Sequence, residues 1–351
     1  MKNRLFIYVI ITLTIQSCEL FRPKHETTPY TLQYPAHFPT PTIPLDNEMT
    51  FEGVRLGRHL FFDERLSGDN SQSCNSCHLQ ENNFAEPFSF STGIDGVGGD
   101  VNAMILSNIA WQRFFFWNGR VESLEEQVKD PILNPIEMHT NFADVIEKLE
   151  QDPKYLELFE RANGSEEITE DKIAHALAQY VRTLVSGNSK FDQYVVGSYI
   201  FSPSEQVGFD IFNNEQGDCF HCHGAATSGY QMGAFGFLQF SNNGLDSIHQ
   251  VGEGREGVSG IPADRGKFKI PSLRNVEYSF PYMHDGRFQT LAQVVEFYNT
   301  GGHPSPTIDP NMKAAGVGRN WSVTEKQGLI DFMKTFSDIS FLEDTAFTSP
   351  W

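Results

Sequence analysis

The chain has no apolar run long enough to cross a bilayer: the longest, Leu5 to Ile15, has 11 residues, against about 20 for a membrane helix. Basic residues are scarce. There are 26 Lys and Arg against 45 Asp and Glu, and the resulting net charge of −19 excludes a surface that wraps nucleic acid, since phosphate neutralisation needs clustered cations. Strand-like alternation of apolar and polar residues is rare. Cysteine is sparse too, five in all, an odd total that in an exported chain would ordinarily read as a disulfide framework with one thiol left over. What is plentiful is core material: 39% of the 351 residues are hydrophobic and 30 are Phe. That composition excludes a disordered, collagenous or coiled-coil chain, and the length suggests two domains at about 150 residues each.

The short apolar run has a use of its own. Lys2 and Arg4 precede it, and Ser17 and Cys18 follow, giving the positive, apolar and cleavage-site regions of an export signal over residues 1–17. A small residue before Cys resembles a bacterial lipoprotein signal, with Cys18 as the acylated first residue of the mature chain. Gln16 departs from that pattern, and an ordinary secretory signal is the alternative. The expected location is periplasmic, with a membrane tie only through a lipid on Cys18. Residues 18–48 are proline-rich and read as an extended tether or a strap laid along the surface.

From Thr50 onward helix signals dominate. Ser123 with Glu126, Ser202 with Glu205, Thr290 with Gln293 and Ser322 with Glu325 each set a hydroxyl three residues before an acid or amide, the spacing of a capping box. Ile173, Ala176, Leu177, Tyr180, Val181 and Leu184 keep the rhythm of one apolar helical face. The chain also repeats itself. Gly57-Arg-His-Leu-Phe61 leads to Cys74-Asn-Ser-Cys77-His78, and Gly208-Phe-Asp-Ile-Phe212 leads to Cys219-Phe-His-Cys222-His223. Two domains, 49–195 and 196–345, follow from that repeat, with the boundary within residues 188–202.

Two cysteines three apart can each reach a vinyl group of one porphyrin, and the adjacent His can then turn to the iron, so each pentapeptide reads as a c-type haem attachment. A zinc site built from both pairs, or two disulfides, are the competing readings. Neither gives a reason for a His directly after each pair. Two haem tethers account for four cysteines and leave Cys18.

These motifs stand in a longer run of matching text: Leu56-Gly-Arg-His-Leu-Phe-Phe-Asp63, Trp117-Asn-Gly-Arg120, Ser123-Leu-Glu-Glu-Gln127, Pro135-Ile-Glu-Met138, Phe268-Lys-Ile-Pro-Ser-Leu-Arg-Asn275 and Pro281-Tyr-Met-His-Asp-Gly-Arg287. From about Thr50 to Phe341 the chain resembles the bacterial dihaem cytochrome c peroxidases and the related enzyme MauG. The resemblance implies a mainly α protein of two cytochrome c-like domains, each with one covalent haem, joined by long loops. It implies a peroxidatic iron on His78 and an electron-relay iron on His223, with Glu137 as distal acid, Gln127 as distal amide, and Trp117 between the haems. It implies one calcium ion held by the Asn102 side chain and the Ser279 and Pro281 carbonyls, and places His284 beside the relay haem. At the distal ligand position of that haem stands Tyr298, as in MauG-like members, with Met283 as the competing ligand. No His occurs between His78 and His139, so the peroxidatic iron is expected to be open without prior reduction.

The implied activity is reduction of hydrogen peroxide with electrons from a small cytochrome c or copper protein, with room for a homodimer. A MauG-like oxidase acting on a partner protein and a non-catalytic electron-transfer or redox-sensing protein are the alternatives. Of the remaining histidines, His25, His37, His249 and His303 lie in loop-like text and are expected to face solvent.

Overall fold

The computed structural model describes residues 25–224 and 240–351; the signal segment and Cys18 lie outside the described residues. The protein is mainly helical. In chain order the helices are α1 (Phe51–Phe61), α2 (Cys74–Cys77), α3 (Leu124–Gln127), α4 (Asp130–Leu133), α5 (Phe142–Glu150), α6 (Pro153–Asn163), α7 (Glu170–Arg182), α8 (Lys190–Val195), α9 (Pro203–Phe212), α10 (Cys219–His223), α11 (Glu256–Ser259), α12 (Leu291–Thr300), α13 (Val323–Lys334) and α14 (Ile339–Leu342). One antiparallel pair, β1 (Phe240–Ser241) and β2 (Phe268–Lys269), sets Phe240 opposite Lys269.

Reciprocal capping boxes start α9, α12 and α13 at Ser202, Thr290 and Ser322. The fourth expected box is half formed. Ser123 accepts from the Glu126 N–H, but the Glu126 carboxylate turns to Lys129 at 3.1 Å, where a cation offers more than a neutral N–H.

The repeated glycines explain how each half is built. A Cβ at Gly57 would lie 1.9 Å from the Ala176 carbonyl oxygen, and one at Gly208 would lie 1.9 Å from that of Gly328. Glycine therefore lets α1 cross directly against α7, and α9 against α13. Around these two crossings form two separate apolar clusters. The first gathers Leu56, Leu60, Phe61, Phe84, Tyr155, Phe159, Leu177 and Tyr180. The second is largely aromatic, with Phe191, Phe201, Phe212, Phe332 and Phe336, and it absorbs much of the Phe content. Phe341 and Leu342 of α14 return to the first cluster, so the end of the chain clasps both halves.

Residues 25–48 run along the outside of the first half. Tyr30 N–H donates to the Met49 carbonyl at 2.9 Å, and the Trp111 indole donates to the Pro39 carbonyl at 2.7 Å. Between the halves lies a buried ionic knot: Arg274 donates to Asp192 Oδ1 at 3.0 Å, and His37 Nε2 lies 3.0 Å from the same oxygen. Burial alone would raise the Asp192 carboxyl, but the Arg274 charge holds it well below the usual range.

Candidate haem centres

Each C-x-x-C-H segment forms a single helical turn on the face of its own cluster. Cys74 packs against the first cluster and Cys219 against the second, which removes the zinc site built from both cysteine pairs. The disulfide reading goes as well, since all four thiols are free. Burial pushes the Cys74 thiol up to about 12 and Cys77 to about 11; Cys219 and Cys222 behave alike, at about 12 and about 11. Neutral, apolar-facing sulfurs suit thioether bonds to a porphyrin better than ionic thiolate ligation.

At the first centre, His78 Nδ1 lies 2.7 Å from the Phe84 carbonyl, so that nitrogen carries the proton and Nε2 is left as the metal-facing lone pair. Burial lowers the His78 pKa and keeps the ring neutral. Glu137 stands within Coulombic range of both sulfurs, since its charge raises the Cys74 and Cys77 thiols. Its own pKa is raised by burial, against the opposing hydrogen bond from Asn134 Nδ2 to Oε1 at 2.6 Å. Gln127 is the last residue of the short helix α3. His139 is turned away: its ring is half exposed and engaged by Asp95. A second buried acid, Glu86, accepts from the Ser91 hydroxyl beside Cys77; sequence reasoning passed over it because it lies in loop text without a motif.

The second centre borders a cavity of about 230 Å³, with Cys219, Cys222, His223, Met283 and Tyr298 in its wall. Burial drives the His223 pKa down to about 4, with the Pro271 carbonyl a weak opposing influence, and Nδ1 makes no well-formed hydrogen bond. A neutral imidazole above a largely apolar hollow, flanked by two free thiols, fits a haem. Arg319 Nε and Trp321 Nε1 also lack partners, two buried donors in a wall that awaits an acceptor. Tyr298 faces this space with its phenol pushed up to about 12 by burial.

The wall continues to the first half through Trp117, whose indole N–H donates to the Asn102 carbonyl at 2.8 Å. Asn102 N–H in turn donates to the His284 carbonyl at 2.7 Å. His284 stacks on Phe268 with ring centres 3.7 Å apart and meets Trp117 edge-on at 6.4 Å. Asn102, Ser279 and Pro281 line the same wall. The Asn102 amide nitrogen is held by the Phe88 carbonyl at 3.0 Å, leaving Oδ1 as the end available to a hard cation.

Two expectations about histidine fail. His37 reaches Asp192, and His249 is buried between Glu253 at 2.7 Å and Asn242 at 3.1 Å; loop text carries no sign of an acid that folding brings from elsewhere. Lys269 lies inside a quoted motif but drew no attention. It is fully buried, donates to Gln112 Oε1 at 3.1 Å and the Phe114 carbonyl at 3.0 Å, and burial pushes its pKa down to about 7.

Among the described residues no helix is long and apolar enough to cross a membrane. The sequence model of the di-haem cytochrome c peroxidases matches residues 51–199. The MauG protein of Methylorubrum extorquens is 35% identical over 309 residues, covering 88% of this chain and 83% of that one. Cytochrome c551 peroxidase of Nitrosomonas europaea is 35% identical over 289 residues, covering 81% and 79%. The crystal structure of a MauG-like protein associated with microbial copper homeostasis superposes with a TM-score of 0.83 at 31% identity, over 92% of this chain and 99% of the other. These two curated relatives, one a MauG protein and one a peroxidase, are equally identical to the chain and both are matched over most of their length, and the chain belongs to the di-haem cytochrome c peroxidase and MauG family.

Proposed function

We propose that this protein is an exported dihaem peroxidase that reduces hydrogen peroxide to water at the centre of His78, with electrons entering through the centre of His223. The observation that carries the reading is the difference in how the acids are held. Glu137 is a buried carboxylate with a raised pKa beside the first cysteine pair and has a neutral amide as its partner, whereas of the acids that act on the second pair Asp218 is engaged by the Lys313 ammonium at 3.1 Å and Asp309 accepts from the Ser241 hydroxyl at 2.9 Å.

A bound haem at His78 supplies the iron that accepts peroxide and the electrons that cleave its O–O bond. Glu137 accepts the proton from one peroxide oxygen and returns it to the other, which leaves as water. Asn134 holds Oε1 of that carboxylate, and the uncharged Gln127 amide orients the bound molecule by donating a hydrogen bond. Two electrons and two protons in total convert one peroxide to two waters. At the second centre Cys219, Cys222 and His223 would hold the relay haem, with Tyr298 available as distal ligand and Met283 as its competitor. Trp117 and His284 line the covered route between the two, and Asn102, Ser279 and Pro281 would hold a calcium ion that would stiffen it. The net charge of −19 favours a basic donor, a small cytochrome c or copper protein, at low salt. Residues 1–17 direct export, and Cys18 carries the lipid that holds the protein at the periplasmic membrane surface.

A MauG-like oxidase acting on aromatic side chains of a partner protein is the second reading, favoured by Tyr298 in the cavity wall. Steady-state assays separate the two. The peroxidase reading predicts sustained, peroxide-dependent oxidation of reduced cytochrome c; an oxidised protein inert to that donor contradicts it.

A further inference from the structure

We infer that Asn243 is the positioning residue that decides which side chain, Tyr298 or Met283, closes the distal face of the second centre, and that it selects Tyr298. The inference rests on the reading of those two residues as rival distal ligands. The Asn243 Nδ2 group lies 3.2 Å from the Tyr298 hydroxyl oxygen and 3.5 Å from the Met283 sulfur, so one amide touches both.

The direction of that amide is set by the loop that carries it. Asn243 Oδ1 accepts the Leu245 N–H at 3.2 Å, which leaves the NH2 end facing the two side chains. The loop beneath is tied down on every side. Asn242 is fully buried and donates to Ser305 Oγ at 3.1 Å and Thr307 Oγ1 at 3.0 Å. Its Oδ1 accepts the Gly244 N–H at 2.9 Å, and the Gly244 carbonyl accepts from His303 at 2.7 Å. Gly244 sits at φ +73°, a conformation open to glycine. The amide therefore holds its place whichever ligand is bound.

A fixed N–H donor does not treat the two rivals alike. A hydrogen bond to an oxygen anion is roughly twice as strong as one to a neutral group, and a thioether sulfur is only a weak acceptor. Asn243 therefore favours the Tyr298 oxygen over the Met283 sulfur as the atom it holds in place. Met283 waits alongside. Its backbone lies at φ +76°, a conformation costly for an L residue, and its sulfur stands 3.5 Å from the Asn243 amide. Removing the donor would shift the choice: with a haem bound, the Tyr298 oxygen would be released and take a proton from water, the Met283 sulfur would offer its lone pair instead, and no electron would be transferred.

The test uses the full chain with both haems, comparing paramagnetic resonance and near-infrared charge-transfer spectra of the ferric protein. Asn243→Asp keeps the shape and the bond to Leu245 but removes the donor; Asn243→Leu removes all polarity. The expected result is a tyrosinate signature in the native protein that Tyr298→Phe abolishes. Both Asn243 variants should lower the tyrosinate-to-thioether ratio by about tenfold or more, the loss of a hydrogen bond to a charged group. If Tyr298→Phe abolishes the signature while both Asn243 variants keep it, Asn243 does not select and the assignment of Tyr298 stands. If Tyr298→Phe leaves the spectrum unchanged, both the assignment and the inference fall.

Discussion

The two C-x-x-C-H turns share one five-residue pattern and accompany similar helix crossings, yet their surroundings diverge. His78 is braced by the Phe84 carbonyl at 2.7 Å, while His223 Nδ1 has no well-formed partner. Near the first stand two buried acids, Glu137 and Glu86, the former held by the Asn134 amide. Around the second, the wall is largely apolar and offers a phenol and a thioether. A repeat thus supplied two similar sockets, and on the proposed reading the residues outside the repeat give one the means to move protons and the other the means to close an iron.

The most drastic way to break this comparison is to remove each proximal ligand in turn. His78→Ala is expected to abolish reaction with peroxide. His223→Ala should keep a single turnover with peroxide and lose steady-state oxidation of the donor, as followed by stopped-flow spectroscopy with haem content checked in each variant. The reverse pattern would exchange the two roles.

The acid difference is tested by Glu137→Gln, which should slow the peroxide reaction by about 10²–10⁴-fold. Burial raises the Glu137 pKa, and the proton acceptor is its ionised form. The native rate should therefore rise with pH through an apparent value above the ordinary carboxylate range and be lost as pH falls below it. Glu137→Gln should be flat across that window.

The likeness of the two scaffolds can be sharpened in the same way. Gly57→Ala and Gly208→Ala each force a Cβ to within 1.9 Å of a carbonyl oxygen on the opposing helix, and each should cost about 1–3 kcal/mol as overpacking in denaturant unfolding. A large effect at one site alone would mean that the crossings are not equivalent.

Much of this was legible in the text. The capping spacings located α9, α12 and α13, and the Ile173 to Leu184 rhythm located a buried helix face, because both are local rules that folding leaves intact. The two pentapeptides were visible since their chemistry depends on adjacency. What stayed hidden came from distance. His37 finds Asp192 across 155 positions, and Lys269 acquires its environment only when Gln112 and Phe114 close over it. Asn243 was missed for a different reason: Asn-Asn-Gly reads as a turn, and nothing in a turn signal says what its side chains will face.

The central claim is that one centre is open for peroxide and the other is closed by a side chain. Low-temperature paramagnetic resonance of the fully ferric protein tests it directly. One high-spin signal, from the His78 centre, is expected together with one low-spin signal from the His223 centre. Two low-spin signals, with no high-spin component, would contradict it.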